Sequence, residues 1–252
     1  MHSVQRNGPP LSMLGRAFTL LTAFGPGDGE LSLAELCRRT GIAKPTAHRL
    51  LAELAEWGAV ERTGRGVRLG LRLFELGQLV PRQRELRDVA APFLADLFEA
   101  TRETVHLAVP EGTDVVYVHK LAAGGAPEIP SRLGGRMPAY CTGVGKALLA
   151  FAPPGRLEAV LAEPLIRRTR RTVVAPGLLR AELAGVRSRG VAEEYEESAP
   201  GVACVAAPVL DADGHAVAAL SITGWATSLN TQRLAPAVRT AALGLSRALR
   251  ES

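Results

Sequence analysis

Cysteine is scarce: Cys37, Cys141 and Cys204 are three in 252 residues, far apart and never in a Cys-x-x-Cys pair. Neither a disulfide framework nor a Cys-rich zinc site is indicated, and a reducing, cytoplasmic setting is expected. Long apolar runs are missing too, since no stretch approaches 18 uninterrupted apolar residues, and residues 1–10 are polar with Gly and Pro. Neither a secretion signal nor a membrane span is therefore expected. Lysine is nearly absent, with Lys44, Lys120 and Lys146 against 27 arginines, which in an Ala- and Gly-rich chain reflects coding bias and carries no functional weight. The five histidines (His2, His48, His106, His119 and His215) lack H-x-H or H-x-x-x-H spacing, although His106 and His119 are placed to face each other across a hairpin. No metal site and no cofactor is expected. A G-x-S-x-G elbow is missing, so no hydrolase nucleophile can be named. Gly143-Val144-Gly145-Lys146 lacks the Gly and the Ser or Thr that a phosphate loop needs at positions 140 and 147.

What is present is a core-forming composition, 47% hydrophobic, with a charge of +5 that is unevenly placed. Residues 1–87 hold 13 Lys and Arg against 8 Asp and Glu, whereas residues 88–252 hold 17 of each. The first third is thus the part suited to an anionic partner. There, Leu14, Ala17, Phe18, Leu21 and Phe24 recur at helical spacing from Pro10 onward. Ser32-Leu33-Ala34-Glu35 has the form in which Ser and Glu side chains reciprocally satisfy exposed helix-start amides, opening a second helix that carries Leu33, Leu36 and Cys37 inward. Thr40-Gly41-Ile42-Ala43 is a turn, and a third helix is expected over 44–57 with Pro45 in its first turn. Strands at 59–62 and 67–69 then flank a basic tip, Thr63-Gly64-Arg65-Gly66. Helix, helix, turn, helix, wing is the order of a winged helix-turn-helix, and helical segments over 71–80 and 84–101, separated by Pro81, form a connector.

In such a fold the third helix enters the major groove, so its early exposed side chains are the DNA-contact candidates: Lys44, Thr46, Ala47, His48 and Arg49, with Leu50, Leu51 and Leu54 facing the core. Arg49 is placed to make paired donor contacts to guanine, Lys44 to neutralise phosphate, and Arg65 and Arg68 of the wing to reach the flanking backbone or minor groove. Beyond Glu103 the pattern changes to strands at 104–109, 115–121, 202–209 and 217–223. Asp- and Gly-bearing turns join them, with helices near 145–151, 157–162, 178–189 and 231–250. No internal repeat or low-complexity tract is present. The Arg167-Arg168-Thr169-Arg170-Arg171 run is read as a solvated loop rather than a second nucleic-acid patch.

Residues 32–77, with GIAKPTAHRLLAELAEWGAVER and VRLGLRLFELG, resemble the winged helix-turn-helix of the IclR family of bacterial transcriptional regulators. The likeness continues through PAYCTGVGKALLAF, RRTRRTVVAPGLLRAELAGVRSRGVAEE, PGVACVAAPVLDADG, AALSITG and LSRALR, in order over most of the chain. It implies two domains. An all-α-plus-wing winged helix-turn-helix at 10–72 and a helical linker at 73–87 precede an α+β, GAF-like effector domain with an antiparallel sheet at 88–252. It also implies a pocket of Gly143, Val144, Glu194, Val202, Cys204, Ser221 and Thr223 for a small organic effector, a carboxylate being one candidate. A homodimer or dimer of dimers on a palindromic double-stranded operator would follow, acting as a repressor rather than an activator.

The residues fit a pocket on their own terms. Ser221 and Thr223 share one strand face, Val202 and Cys204 repeat that relation, and Gly143-Val144-Gly145 offers backbone amides at a helix start. Glu194 stands where the family often has Asp and repels an anionic ligand unless it is protonated or hydrogen-bonded to a donor. Tyr140-Cys141 replaces a frequent His-Ala, which bears on pocket volume. The alternatives are a GAF-like enzyme with Cys141 or Cys204 as nucleophile, a regulator that has lost effector binding, and one that has lost DNA contact; Lys44, Arg49 and Arg65 speak against the last.

Overall fold

The structure is a computed structural model describing residues 12–122, 124, 125, 127 and 131–251, except the side chains of residues 82 and 83. It divides into two compact units between Arg84 and Glu85. Among the described residues, no helix is long and apolar enough to cross a membrane.

The first unit holds α1 (Met13–Thr22), α2 (Leu33–Thr40), α3 (Lys44–Glu56), β1 (Val60–Arg62), β2 (Val67–Leu69) and α4 (Leu71–Gln78). The expected helix start at Pro10 lies outside the described residues. Ser32 caps α2 by accepting from the Glu35 amide, but the Glu35 carboxylate does not reach back; it accepts from Arg38 and Arg39 instead. Two guanidiniums one turn away outbid a single amide, so half of the expected reciprocal cap forms. Gly41, at φ 70°, closes α2 in the left-handed region that glycine adopts without strain. Leu20, Leu36, Ala47, Leu50, Leu51, Val60 and Val67 make the core. Leu14 and Phe18 do not join it: they are 74% and 65% exposed, because α1 is apolar around more of its circumference than this small core covers.

The second unit takes most of α5 (Pro81–Thr101), whose first residue is the proline expected to separate two helices. It also holds β3 (Thr104–Glu111), β4 (Asp114–Leu121), β5 (Arg136–Pro138), a 3-10 turn (Ala139–Cys141), α6 (Gly143–Ala150), α7 (Arg156–Leu161), α8 (Pro176–Arg189), β6 (Ala192–Tyr195), β7 (Val202–Leu210), β8 (Ala216–Trp225) and α9 (Thr231–Glu251). The six strands form one antiparallel sheet in the order β5-β4-β3-β8-β7-β6. Alternation along each strand separates two cores: Val105, Leu107, Val205 and Ile222 pack on α5 and α9, while Ala108, Tyr117 and Ala206 pack on the side of α6 and α8. Strands β5 and β6 have no counterpart in the sequence pattern, being short and, in β6, bearing two adjacent glutamates.

Candidate functional site

On α3 the structure exposes Lys44, His48 and Arg49 and half-buries Thr46. Ala47 is a correction, since it is fully buried against Leu50 and Leu51: the helix turns its 44, 48 and 49 positions outward and its 47, 50 and 51 positions inward. Arg49 is exposed and leans toward α1, its Nη2 standing 3.5 Å from the Met13 sulfur. In the wing, Arg65 stands exposed at the tip, its amide 3.3 Å from the Thr63 hydroxyl. Arg68 lies directly opposite Glu61 in the ladder and pairs with its carboxylate, Nε to Oε2 2.7 Å. An exposed pair of this kind is worth little, so an incoming phosphate can compete for the guanidinium.

The second constellation is enclosed within the sheet unit. A cavity of about 20 Å³, room for roughly one water, is lined by all seven predicted residues, Gly143, Val144, Glu194, Val202, Cys204, Ser221 and Thr223. Register explains their convergence. Glu194 lies opposite Cys204, Cys204 opposite Thr223, and Ser221 opposite His106, so four neighbouring strands point these side chains to the same face, under α6. Gly143 is required at the start of α6, because a Cβ there would stand 2.7 Å from the Cys204 sulfur. The amides at that helix start are not all available: Gly145 donates to its own cap, the Thr142 hydroxyl, at 3.2 Å.

Sequence reasoning missed His106, Tyr117, Met137, Thr142 and Ser198, which complete the lining. The signal for His106 was an imidazole set among Val105, Leu107, Ala108 and Val109, and its expected partner was wrong. A bulge in β4 between the partners of Leu107 and Ala108 skips Val118 and sets His119 opposite Leu107, on the face toward α5, while Lys120 comes opposite His106. The two histidines therefore do not face each other. His106 Nε2 lies 2.8 Å from the Ser131 hydroxyl, and its Nδ1 lies 3.4 Å from both Ser221 and Thr223. Burial, with the nearby Lys120 charge, lowers its pKa to about 3, so the ring is neutral. Lys120 Nζ donates to the Ser131 carbonyl and hydroxyl oxygens at 2.8 and 3.3 Å. A Ser131 hydroxyl that accepts from this ammonium directs its own hydrogen to Nε2, which leaves Nδ1–H to donate to Ser221 and Thr223. Their hydroxyl hydrogens are then free to turn toward the cavity.

Glu194 is 1% exposed, and burial raises its pKa to about 7. Its Oε1 accepts from the Glu197 and Ser198 amides at 2.5 and 3.1 Å, and its Oε2 accepts from the Ser198 hydroxyl at 3.3 Å. The donors that its placement demanded are thus present. Behind the cavity, Lys146 is completely buried between the carboxylates of Glu182 and Glu197. This fixed ion cluster is what the lysine of the apparent phosphate loop serves. The arginine-rich loop is exposed and tied down by Thr169 and Thr172, whose hydroxyls donate to the Glu196 and Glu197 carbonyls, and by the pairing of Arg171 with Glu196. Tyr140 donates to the Ile166 carbonyl at 2.6 Å, and neither it nor Cys141 lines the cavity. Burial raises the pKa of the Cys141 and Cys204 thiols to about 12, which deprives both of the thiolate character of a nucleophile. Asp211, Asp213 and His215 gather at the β7–β8 turn, where Asp211 Oδ1 accepts the turn amides of Asp213 and His215, a turn-closing role.

Residues 13–64 match the IclR helix-turn-helix domain, and residues 78–247 match the C-terminal domain of the bacterial transcriptional regulator IclR. The chain is 32% identical to the regulator XynR of Escherichia coli over 96% of this chain and 98% of that protein. With the glycerol operon regulatory protein of Streptomyces coelicolor, identity is 33% over 95% of this chain and 96% of that one. Among solved structures, an IclR homologue from Microbacterium hydrocarbonoxydans complexed with 4-hydroxybenzoate superposes with a TM-score of 0.88. It shares 32% identity and matches 96% of this chain and all of that one. A helix that exposes Lys44 and Arg49 on one unit and an enclosed polar cavity in the other accompany a match that runs through both: the chain is a transcriptional regulator of the IclR family.

Proposed function

We propose that the chain represses transcription from the cytoplasm as a homodimer, or a dimer of dimers, on a palindromic operator, and that a small organic effector in the sheet cavity controls it. Lys44, Thr46, His48, Arg49 and Arg65 are the DNA contacts, with Arg68 released from Glu61 on binding. The observation that carries this reading is the convergence of Gly143, Val144, Glu194, Val202, Cys204, Ser221 and Thr223 on one cavity in a chain so similar to a homologue complexed with 4-hydroxybenzoate. At about 20 Å³ the cavity admits a ring only if lining side chains move, and unbranched Met137 moves most easily. The effector changes operator affinity by the difference between its own affinities for the DNA-competent and DNA-incompetent states. Large apolar side chains left exposed on α1 (Leu14 and Phe18) and on α4 (Leu71, Phe74 and Leu76) support association between copies.

The test is a gel shift on DNA from the regions flanking the gene, with and without small carboxylates. Wild type binds a palindromic segment and releases or tightens with effector. The Ser221→Val/Thr223→Val double variant binds the same DNA and ignores effector. A folded double variant that responds as wild type does would overturn the assignment of the cavity. A double variant that fails to fold would mark both residues as core.

A further inference from the structure

The cavity's charge is one-sided. Among its described lining residues Glu194 is the acid, and no lysine or arginine accompanies it. The groups that bear on Glu194 come from every surrounding element: Glu197 and Ser198 from the turn after β6, Lys146 from α6, Cys204 from β7, Tyr117 from β4, Cys141 from the 3-10 turn, and His106 from β3 across the cavity. Lys146 is the cation within this group, and it is already paired to Glu182 and Glu197. The histidine, the thiols and the phenol are neutral at pH 7. A ligand carboxylate placed here would meet a second carboxylate with no spare cation between them, a costly arrangement in a buried site.

The hydrogen bonding offers a way out. Glu194 Oε1 is spent on two amides, whereas Oε2 accepts a single hydroxyl at 3.3 Å and keeps lone-pair capacity. On the opposite wall, Ser221 and Thr223 are placed by His106 to donate. We infer that the site takes its carboxylate ligand together with one proton, held as an O–H···O bond between Glu194 Oε2 and one ligand oxygen while the other ligand oxygen accepts from Ser221 and Thr223. This rests on the effector reading above. The balance is simple: two carboxylates and one proton from solvent become one hydrogen-bonded acid–carboxylate pair of charge −1, and nothing leaves. The effector class is thereby a monocarboxylate, and effector affinity is linked to pH.

The linkage has a definite sign. Burial raises the Glu194 pKa to about 7, so below that value the empty site already holds the proton and affinity is flat. Above it each binding event draws a proton from solvent, and affinity falls about tenfold per pH unit. Calorimetry on the full chain, with benzoate, 4-hydroxybenzoate and propionate as probes beside their amides, between pH 6 and 8.5 in buffers of different ionisation enthalpy, reads both quantities. Wild type is expected to bind a carboxylate with nearly one proton taken up at pH 8 and almost none at pH 6. Glu194→Gln, whose amide donates to a carboxylate without needing a proton, is expected to bind with no uptake and no pH slope. Carboxylate binding to wild type without proton uptake at pH 8 overturns the inference and leaves the effector reading standing, as does binding of the amides alone. If neither acids nor amides bind wild type, both fall.

Discussion

The imidazole of His106 sits 1% exposed between Ser131 on one nitrogen and Ser221 and Thr223 on the other, and that position fixes how it titrates. Its folded-state pKa of about 3 lies below the unfolded value near 6.5, so the unfolded chain binds the extra proton between those limits. The contribution of this residue is therefore fully present above pH 6.5 and is lost as pH falls toward 3. Urea titrations of wild type and His106→Asn at pH 6.5 and 5 should show wild type losing about 2 kcal/mol more than the variant. Equal losses would mean that the imidazole is solvated and that Ser221 and Thr223 are oriented by something else. Glu194 has the opposite sign: its raised pKa makes its contribution complete below the unfolded value of about 4.5 and lost as pH rises through about 7. Two buried groups on facing walls of one cavity thus narrow the pH range of greatest stability from both sides.

At the scale of elements, the first unit was legible because its signals are local. A capping Ser32, a Gly41 turn, Pro45 in the first turn of α3 and a Gly-bearing hairpin tip each act within four residues, and each stands where the sequence places it. The errors were of phase and of long-range register. Ala47 was assigned outward although the helix turns it in, and Leu14 and Phe18 were assigned to a face that the small core leaves uncovered. The cavity was legible through resemblance and strand alternation, residue by residue. What alternation could not supply was β6, where adjacent Glu193 and Glu194 give no apolar alternation to read, and the β4 bulge, which moved His119 to the other face and Lys120 to His106. Neither can be seen without the partner strand. The phase of α3 carries a prediction. Arg49 lies one turn from Pro45 on the exposed side, and the proposed base contact requires it to let go of Met13. Arg49→Ala should cost about 1–3 kcal/mol of operator affinity and relax base preference at one position of each half-site. Unchanged base preference in a gel-shift competition would assign the residue to α1 packing.

For the whole molecule the question is how many copies of α3 meet one operator, and ionic strength can count them. The net charge of +5 lies entirely in residues 1–87, and the exposed cations there include Lys44 and Arg65, both proposed as DNA contacts. Each phosphate neutralised by such a cation adds about −0.9 to the slope of log affinity against log salt concentration. Lys44→Ala removes one contact from every copy bound, so the change in slope reports stoichiometry directly. A symmetric dimer with both α3 helices engaged predicts a slope shallower by about 2, a lone copy by about 1, and a dimer of dimers with four engaged helices by about 4. The exposed apolar side chains of α1 and α4 favour the dimer, because a free copy would leave Leu14, Phe18, Leu71, Phe74 and Leu76 in water. Leu14→Glu/Phe74→Glu should then bring the Lys44→Ala difference down to about 1 and weaken binding steeply with dilution. A difference that stays near 2 in that background would place the association surface elsewhere on the chain, and a Lys44→Ala slope equal to that of wild type would remove Lys44 from the phosphate contacts altogether.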